Sequence, residues 1–177
     1  MISGEYASGT IRVSLLAVPS RSPMLAAKAL VLAVVVFLVG EVAVFPAFFV
    51  GAAMLQQKVA VSIGDPGVLR AVVGGGLYLA VLGVFGLAIG ALVRHTAGGI
   101  TGIIGFVLVL APLDALLPGS IGQHVHAFSP AEAGQLNSFA HQPVNALLSP
   151  WEGFGVFCPW TAVLVAVADY LLPHRDA

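Results

Sequence analysis

Glu41 is a carboxylate inside an apolar run, AVVVFLVG before it and VAVF after it, with Pro46 close behind. An ionised side chain at the centre of a bilayer costs about 2.5–3.5 kcal/mol on insertion scales unless it is neutral, paired or faces a polar cavity. Two roles fit: a residue lining a polar pathway, or a bundle-facing glutamate near the far interface beside a Pro46 kink. His124, His126 and His141, with Glu132 nearby, form a second group; neutral imidazoles in an H-x-H pattern can bind Zn²⁺ or Cu²⁺. Nothing in the spacing fixes His141 near the other two, so ordinary polar residues are expected there and no metal. Gly74, Gly75 and Gly76 lie in an apolar run, and neither Lys28 nor Lys58 completes a G-x-x-x-x-G-K-[ST] loop. No H-E-x-x-H occurs, Asp114 and Asp169 fall near ends of different apolar runs, and Cys158 is the only cysteine. No catalytic residue, cofactor or ATPase site is therefore expected in this chain.

The elements that carry these residues are apolar. Hydrophobic residues make up 59% of the 177 and charged residues only 8%, against about 25% in soluble domains; the mean hydropathy is +1.02. Four runs, 26–51, 69–92, 97–117 and 155–172, are long enough to span. A hydrocarbon core about 30 Å thick needs roughly 20 helical residues. The expected fold is an all-α transmembrane bundle of four spans over residues 26–177, with a segment at 118–150 on the far side. The bilayer is its first partner. A net charge of −1 with no basic run argues against nucleic acid.

Arg12, Arg21, Lys28, Arg94 and Arg175 fall on one side of such a bundle, and Lys58 and Arg70 on the other. The positive-inside rule places both termini in the cytoplasm. No cleavable signal sequence is expected, because residues 1–23 hold no continuous apolar core and are interrupted by Arg12 and Arg21. Gly86 with Gly90, and Gly98 with Gly102, form small-xxx-small faces on either side of a very short turn, predicting an antiparallel hairpin or, alternatively, a dimer contact. A short helix near 131–140 is expected to lie over the far face or dip into it. Trp151 and Trp160 read as interfacial anchors, Asp114 as a solvated residue, and Asp169 as a partner for His174, Arg175 or Arg94.

Residues 1–25 read differently. Ile11, Leu15, Leu16 and Val18 share one broad helical face, with Arg12 and Ser14 outside it. Ser8 or Thr10 can cap that helix, and Pro19 and Pro23 are expected to end it before the membrane. By composition, an interfacial anchor and a docking element are equally compatible.

The stretch Glu5-Tyr6-Ala7-Ser8-Gly9-Thr10-Ile11-Arg12, followed by Leu15-Leu16-Ala17-Val18-Pro19-Ser20-Arg21 and Ala27-Lys28, resembles the coupling-helix region of ABC-2 type transporter permeases, closest to the actinobacterial kind. Gly64-Asp65-Pro66-Gly67-Val68-Leu69-Arg70, Arg94-His95-Thr96-Ala97-Gly98 and Leu148-Ser149-Pro150-Trp151 resemble the same group more weakly, so that the likeness extends over nearly the whole chain. The resemblance implies that Glu5, Gly9, Thr10 and Arg12 belong to an element docking on a separate ATPase subunit. It also implies a pair of permease subunits, and two further spans ahead of this segment that the chain does not carry. The function so implied is that of a cell-membrane, multi-pass subunit of an exporter, with Glu41 on the translocation pathway and ATP hydrolysis supplied by the partner. The competing expectation, raised by those two absent spans, is a non-transporting membrane scaffold or regulator derived from such a permease.

Overall fold

A computed structural model describes residues 21–55, 61–93, 96–105, 119–142 and 146–174. The described residues are all-helical: α1 (Arg21–Leu55), α2 (Val68–Val93), α3 (Thr96–Gly105), α4 (Gly119–Phe128), α5 (Pro130–Gln135), a 3₁₀ turn (Leu136–Ser138) and α6 (Pro150–His174). Three stretches, Pro23–Leu55, Val68–Val93 and Pro150–Leu171, are long and apolar enough to cross a membrane. The surface of α1 shows why water is the wrong solvent for it. Val42 is 75% exposed and Met54 81%, and Leu30, Val31, Leu38 and Val39 are exposed beside them. An apolar face this extensive far exceeds the patches that soluble monomers tolerate.

The helix boundaries follow from local chemistry. Pro23 lies in the first turn of α1, where a missing N–H leaves no intrahelical bond unmade. Helix α1 then runs through Pro46 without ending. Before α2 the chain turns at Ser62–Gly67, with the Asp65 carboxylate accepting from the Ser62 N–H at 2.7 Å and Gly67 at φ +85°. That left-handed backbone favours glycine. Ser149 and Glu152 form a reciprocal capping box at the start of α6: the Ser149 N–H donates to Glu152 Oε2 at 2.8 Å and the Glu152 N–H to Ser149 Oγ at 3.4 Å.

Helix α2 is the centre of the bundle and packs against α1, α3, α6 and the 3₁₀ turn. Helix α1 runs antiparallel to it and crosses where Gly40 meets Gly76 and Leu79. On another face Gly90 meets Gly99, Gly86 meets Ile103, and Gly102 meets Ile89. The α2–α3 hairpin thus packs within the chain, through Gly99 rather than the expected Gly98, because the α3 face toward α2 passes through positions 99, 102 and 103. The remainder of the expected third span, 106–117, lies outside the described residues, as does the amphipathic segment at 1–20. Helix α6 runs parallel to α2, and Leu25, Leu87, Ala91 and Ala168 close the core at the end where α1 begins. Trp151 packs edge-on against Phe154 near the start of α6, whereas Trp160 lies well along the helix and half-exposed.

The glycines of α2 differ in what a side chain would meet. A Cβ at Gly74 would collide with the Asn137 backbone carbonyl, while one at Gly51 on α1 would meet open space. Gly74→Ala should therefore lower the thermal midpoint of the detergent-solubilised protein, by the equivalent of about 1–3 kcal/mol for overpacking. Gly51→Ala should leave it unchanged or raise it, since alanine is the better helix former by about 1 kcal/mol; equal midpoints for the two variants would contradict the packing.

Candidate functional site

The triple glycine at 74–76 distributes three contacts around α2. Gly74 faces the 3₁₀ turn through Asn137, Gly75 faces Val44 of α1 at 3.7 Å, and Gly76 faces the Glu41 carboxylate. Glu41 therefore sits on the α1–α2 seam beside the Gly40–Gly76 crossing. Both of its carboxylate oxygens are shielded from solvent and neither has a hydrogen-bond partner. A hydrocarbon neighbour on α2 would fill this space; glycine leaves it for the carboxylate. With no cation placed against it among the described residues, Glu41 stands as a polar position inside an apolar seam.

A second polar element enters the bundle from the end where α2 and α6 begin. The chain folds from α4 through α5 into the 3₁₀ turn and lies between α2 and α6. Small residues make this possible: Gly134 fits against Phe157 and Tyr78, and Gly153 against the Ala133 carbonyl. Phe157 is fully buried there, with the Tyr78 and Phe85 rings 5.7 and 6.1 Å away. The Gln135 side chain lies near the Tyr78 hydroxyl, and Ser138 Oγ donates to the Gln135 carbonyl at 2.6 Å. Asn137 is 0% exposed, yet both ends of its amide lack a partner. An unsatisfied buried amide is costly.

Arg70 locks this segment. Its Nη2 donates to the Phe139 carbonyl at 3.0 Å and to the Ala140 carbonyl at 3.2 Å. Gly67, one turn earlier, lies against the Ala140 carbonyl with no room for a side chain. The Gly64–Arg70 stretch thus joins the turn, the start of α2 and the end of the inserted segment. His126 Nε2 faces Glu132 Oε2 at 3.7 Å, while His124 and His141 are exposed. Among the described residues no group of three His, Cys, Asp or Glu is placed to hold a metal ion.

Below the seam, α1 and α6 stand apart and leave an apolar groove of about 810 Å³. Ala29 and Ala33 of α1 face Ala162 and Ala166 of α6 across a floor of Leu77 and Val81. Asp169 lines the same groove, and its Oδ1 is shielded and without a partner. The expected partners Arg94 and Arg175 lie outside the described residues, as does the side chain of His174; so do Glu5, Gly9, Thr10, Arg12 and Asp114. Of the carboxylates that the sequence places within or at the ends of the apolar runs, the structure describes Glu41, on the α1–α2 seam, and Asp169, at the groove. It adds Arg70, Tyr78, Gln135 and Asn137. The glycine triplet was the available signal for these, since three glycines in a row within a span announce the close approach of another backbone.

Removing the Arg70 contacts should release the inserted segment. Arg70→Ala loses hydrogen bonds from a charged donor, worth about 1.5–3 kcal/mol, and should accelerate limited proteolysis within 139–142 while the protein stays inserted. Lysine keeps the charge and a single donor nitrogen but on a different stem, so Arg70→Lys should fall between the two; wild-type cleavage rates in Arg70→Ala would show that the contact does not hold the segment. Comparison with protein-family models, with curated proteins and with solved structures found no match.

Proposed function

We propose that this chain is a multi-pass membrane subunit of an ABC-2 type exporter, driven by a separate ATPase subunit. The observation that carries the transport reading is Glu41: an ionisable side chain on a helix apolar enough to span, aimed at a glycine, with both oxygens unpartnered. Such residues are expensive in hydrocarbon and by default mark a pathway for polar cargo. The segment packed between α2 and α6 supports the same reading, because it brings polar side chains in among helices apolar enough to span. Arg70 and Asn137 give that segment one firm attachment and one unsatisfied contact, as befits an element that shifts between two positions.

The choice of energy source rests on the resemblance of Glu5–Arg12 to a coupling helix. In this proposal Glu5, Gly9, Thr10 and Arg12 lie on the cytoplasmic face and receive the rigid-body movement of the ATPase, and both termini are cytoplasmic, as the loop charges predict. A second permease subunit completes the translocation unit. The chain itself performs no catalysis; it supplies the docking element, the helical wall and the far-side gate.

A gentle-detergent pull-down of the tagged chain from its own cells tests the assignment. An ATPase bearing a Walker A motif should copurify and be lost on Arg12→Glu with the chain still inserted; recovery without any ATPase would favour a non-transporting scaffold. Glu41→Gln should reduce transport by about tenfold or more with membrane abundance unchanged, whereas parallel losses of transport and abundance would make Glu41 structural.

A further inference from the structure

We infer that the groove between α1 and α6 binds an amphiphile with a single apolar chain and a cationic head, taken from the bilayer. The inference does not depend on the transport reading, since binding requires neither the ATPase nor Glu41. The groove's volume of about 810 Å³ falls within the range of roughly 300–1,000 Å³ that holds small-molecule ligands. Its wall on α1 extends from Leu25 to Leu38 and on α6 from Cys158 to Asp169, so it is about 16–20 Å long at 1.5 Å per helical residue. That shape is a slot for an extended chain.

The alanines argue that the slot is kept open. In lipid, facing small residues normally allow helices to close on one another. Here Ala29, Ala33, Ala162 and Ala166 all line the groove, while the core shared by the two helices lies at the Leu25–Ala168 end. A slender apolar chain fits between such banks where a bulkier side-chain surface would exclude it.

The head group is chosen by charge. Among the described residues in the wall, Asp169 is the one charged side chain, and it lies at the end of the groove two residues before the apolar stretch of α6 ends at Leu171, where a lipid-derived head would sit. Its Oδ1 has no partner. The C-termini of α2 and α6 point to the same end, and helix C-termini carry partial negative charge that favours cations. Thr161 does not compete for the ligand, because its hydroxyl donates to the Phe157 carbonyl at 3.1 Å. Lys28 lies at this end of α1 but does not line the groove.

Cys158 lines the groove and is the only cysteine in the chain, so its alkylation reports occupancy without engineering. The test uses the full chain in phosphatidylcholine nanodiscs, with maleimide modification of Cys158 followed by mass spectrometry. Dodecyltrimethylammonium should slow the modification saturably, by about tenfold, and dodecanol should not. Asp169→Asn should raise the half-protecting concentration by about tenfold, or 1.4 kcal/mol, while Asp169→Glu, which keeps the charge, should stay near wild type. Ala162→Phe, which narrows the slot, should abolish protection. Equal protection by dodecanol would reduce the groove to a seat for any lipid tail, and an unchanged Asp169→Asn would remove the acid from the site; either overturns the inference. So would oxidative joining of Cys158 to Cys158 of a second copy in the wild type, which would make the groove a dimer contact.

Discussion

Everything in this bundle depends on how closely other groups can approach the backbone of α2. Its glycines occur on several faces, and each admits a different neighbour: the backbone of α3 at Gly90, the Glu41 carboxylate at Gly76, and the carbonyl of Asn137 at Gly74. In a bilayer, where apolar surface alone gives little reason for helices to associate, packing distance and interhelical contact decide the arrangement. Side chains at these positions would hold the neighbours several ångströms away. The polar groups would then lose the protein surface that shields them from lipid.

That constraint also explains why the polar residues lie where they do. Asn137 and Gln135 reach the space between α2 and α6 because Gly74, Gly134 and Gly153 let the inserted segment fit there, and because Arg70 holds its far end. Glu41 and Asp169 share one side of the bundle but sit in unlike settings. Glu41 is pressed into a tight seam, whereas Asp169 borders an open groove. The close seam and the open groove have a common origin. Gly40 and Gly76 draw α1 onto α2 at the crossing, and the bulk of Leu77, Val81 and Val84 in the groove floor separates α1 from α6 below it.

Much of this was readable from residue types. Uninterrupted apolar runs gave α1, α2 and α6, because spanning length and hydropathy are local properties. The pairing of α2 with α3 followed from glycines at helical spacing, although the register at Gly99 depended on which face α3 turns inward. A helix near 131–140 was legible from its composition and Pro130. Its burial was not, since that depends on Gly74 and Gly153, distant in the chain. Likewise Glu41 stood out by its apolar neighbours, while the setting of Asp169 required the separation of α1 from α6, which no single segment encodes.

The most direct test of this account is whether the inserted segment lies against α2 in a native membrane. Cysteines replacing Tyr78 and Gln135, whose side chains lie near one another, would be treated with a short bis-methanethiosulfonate linker in a Cys158→Ala background and examined by mass spectrometry. The account predicts an intrachain product joining the two positions. Two separately modified thiols, with no joined product, would place residue 135 away from α2 and contradict it.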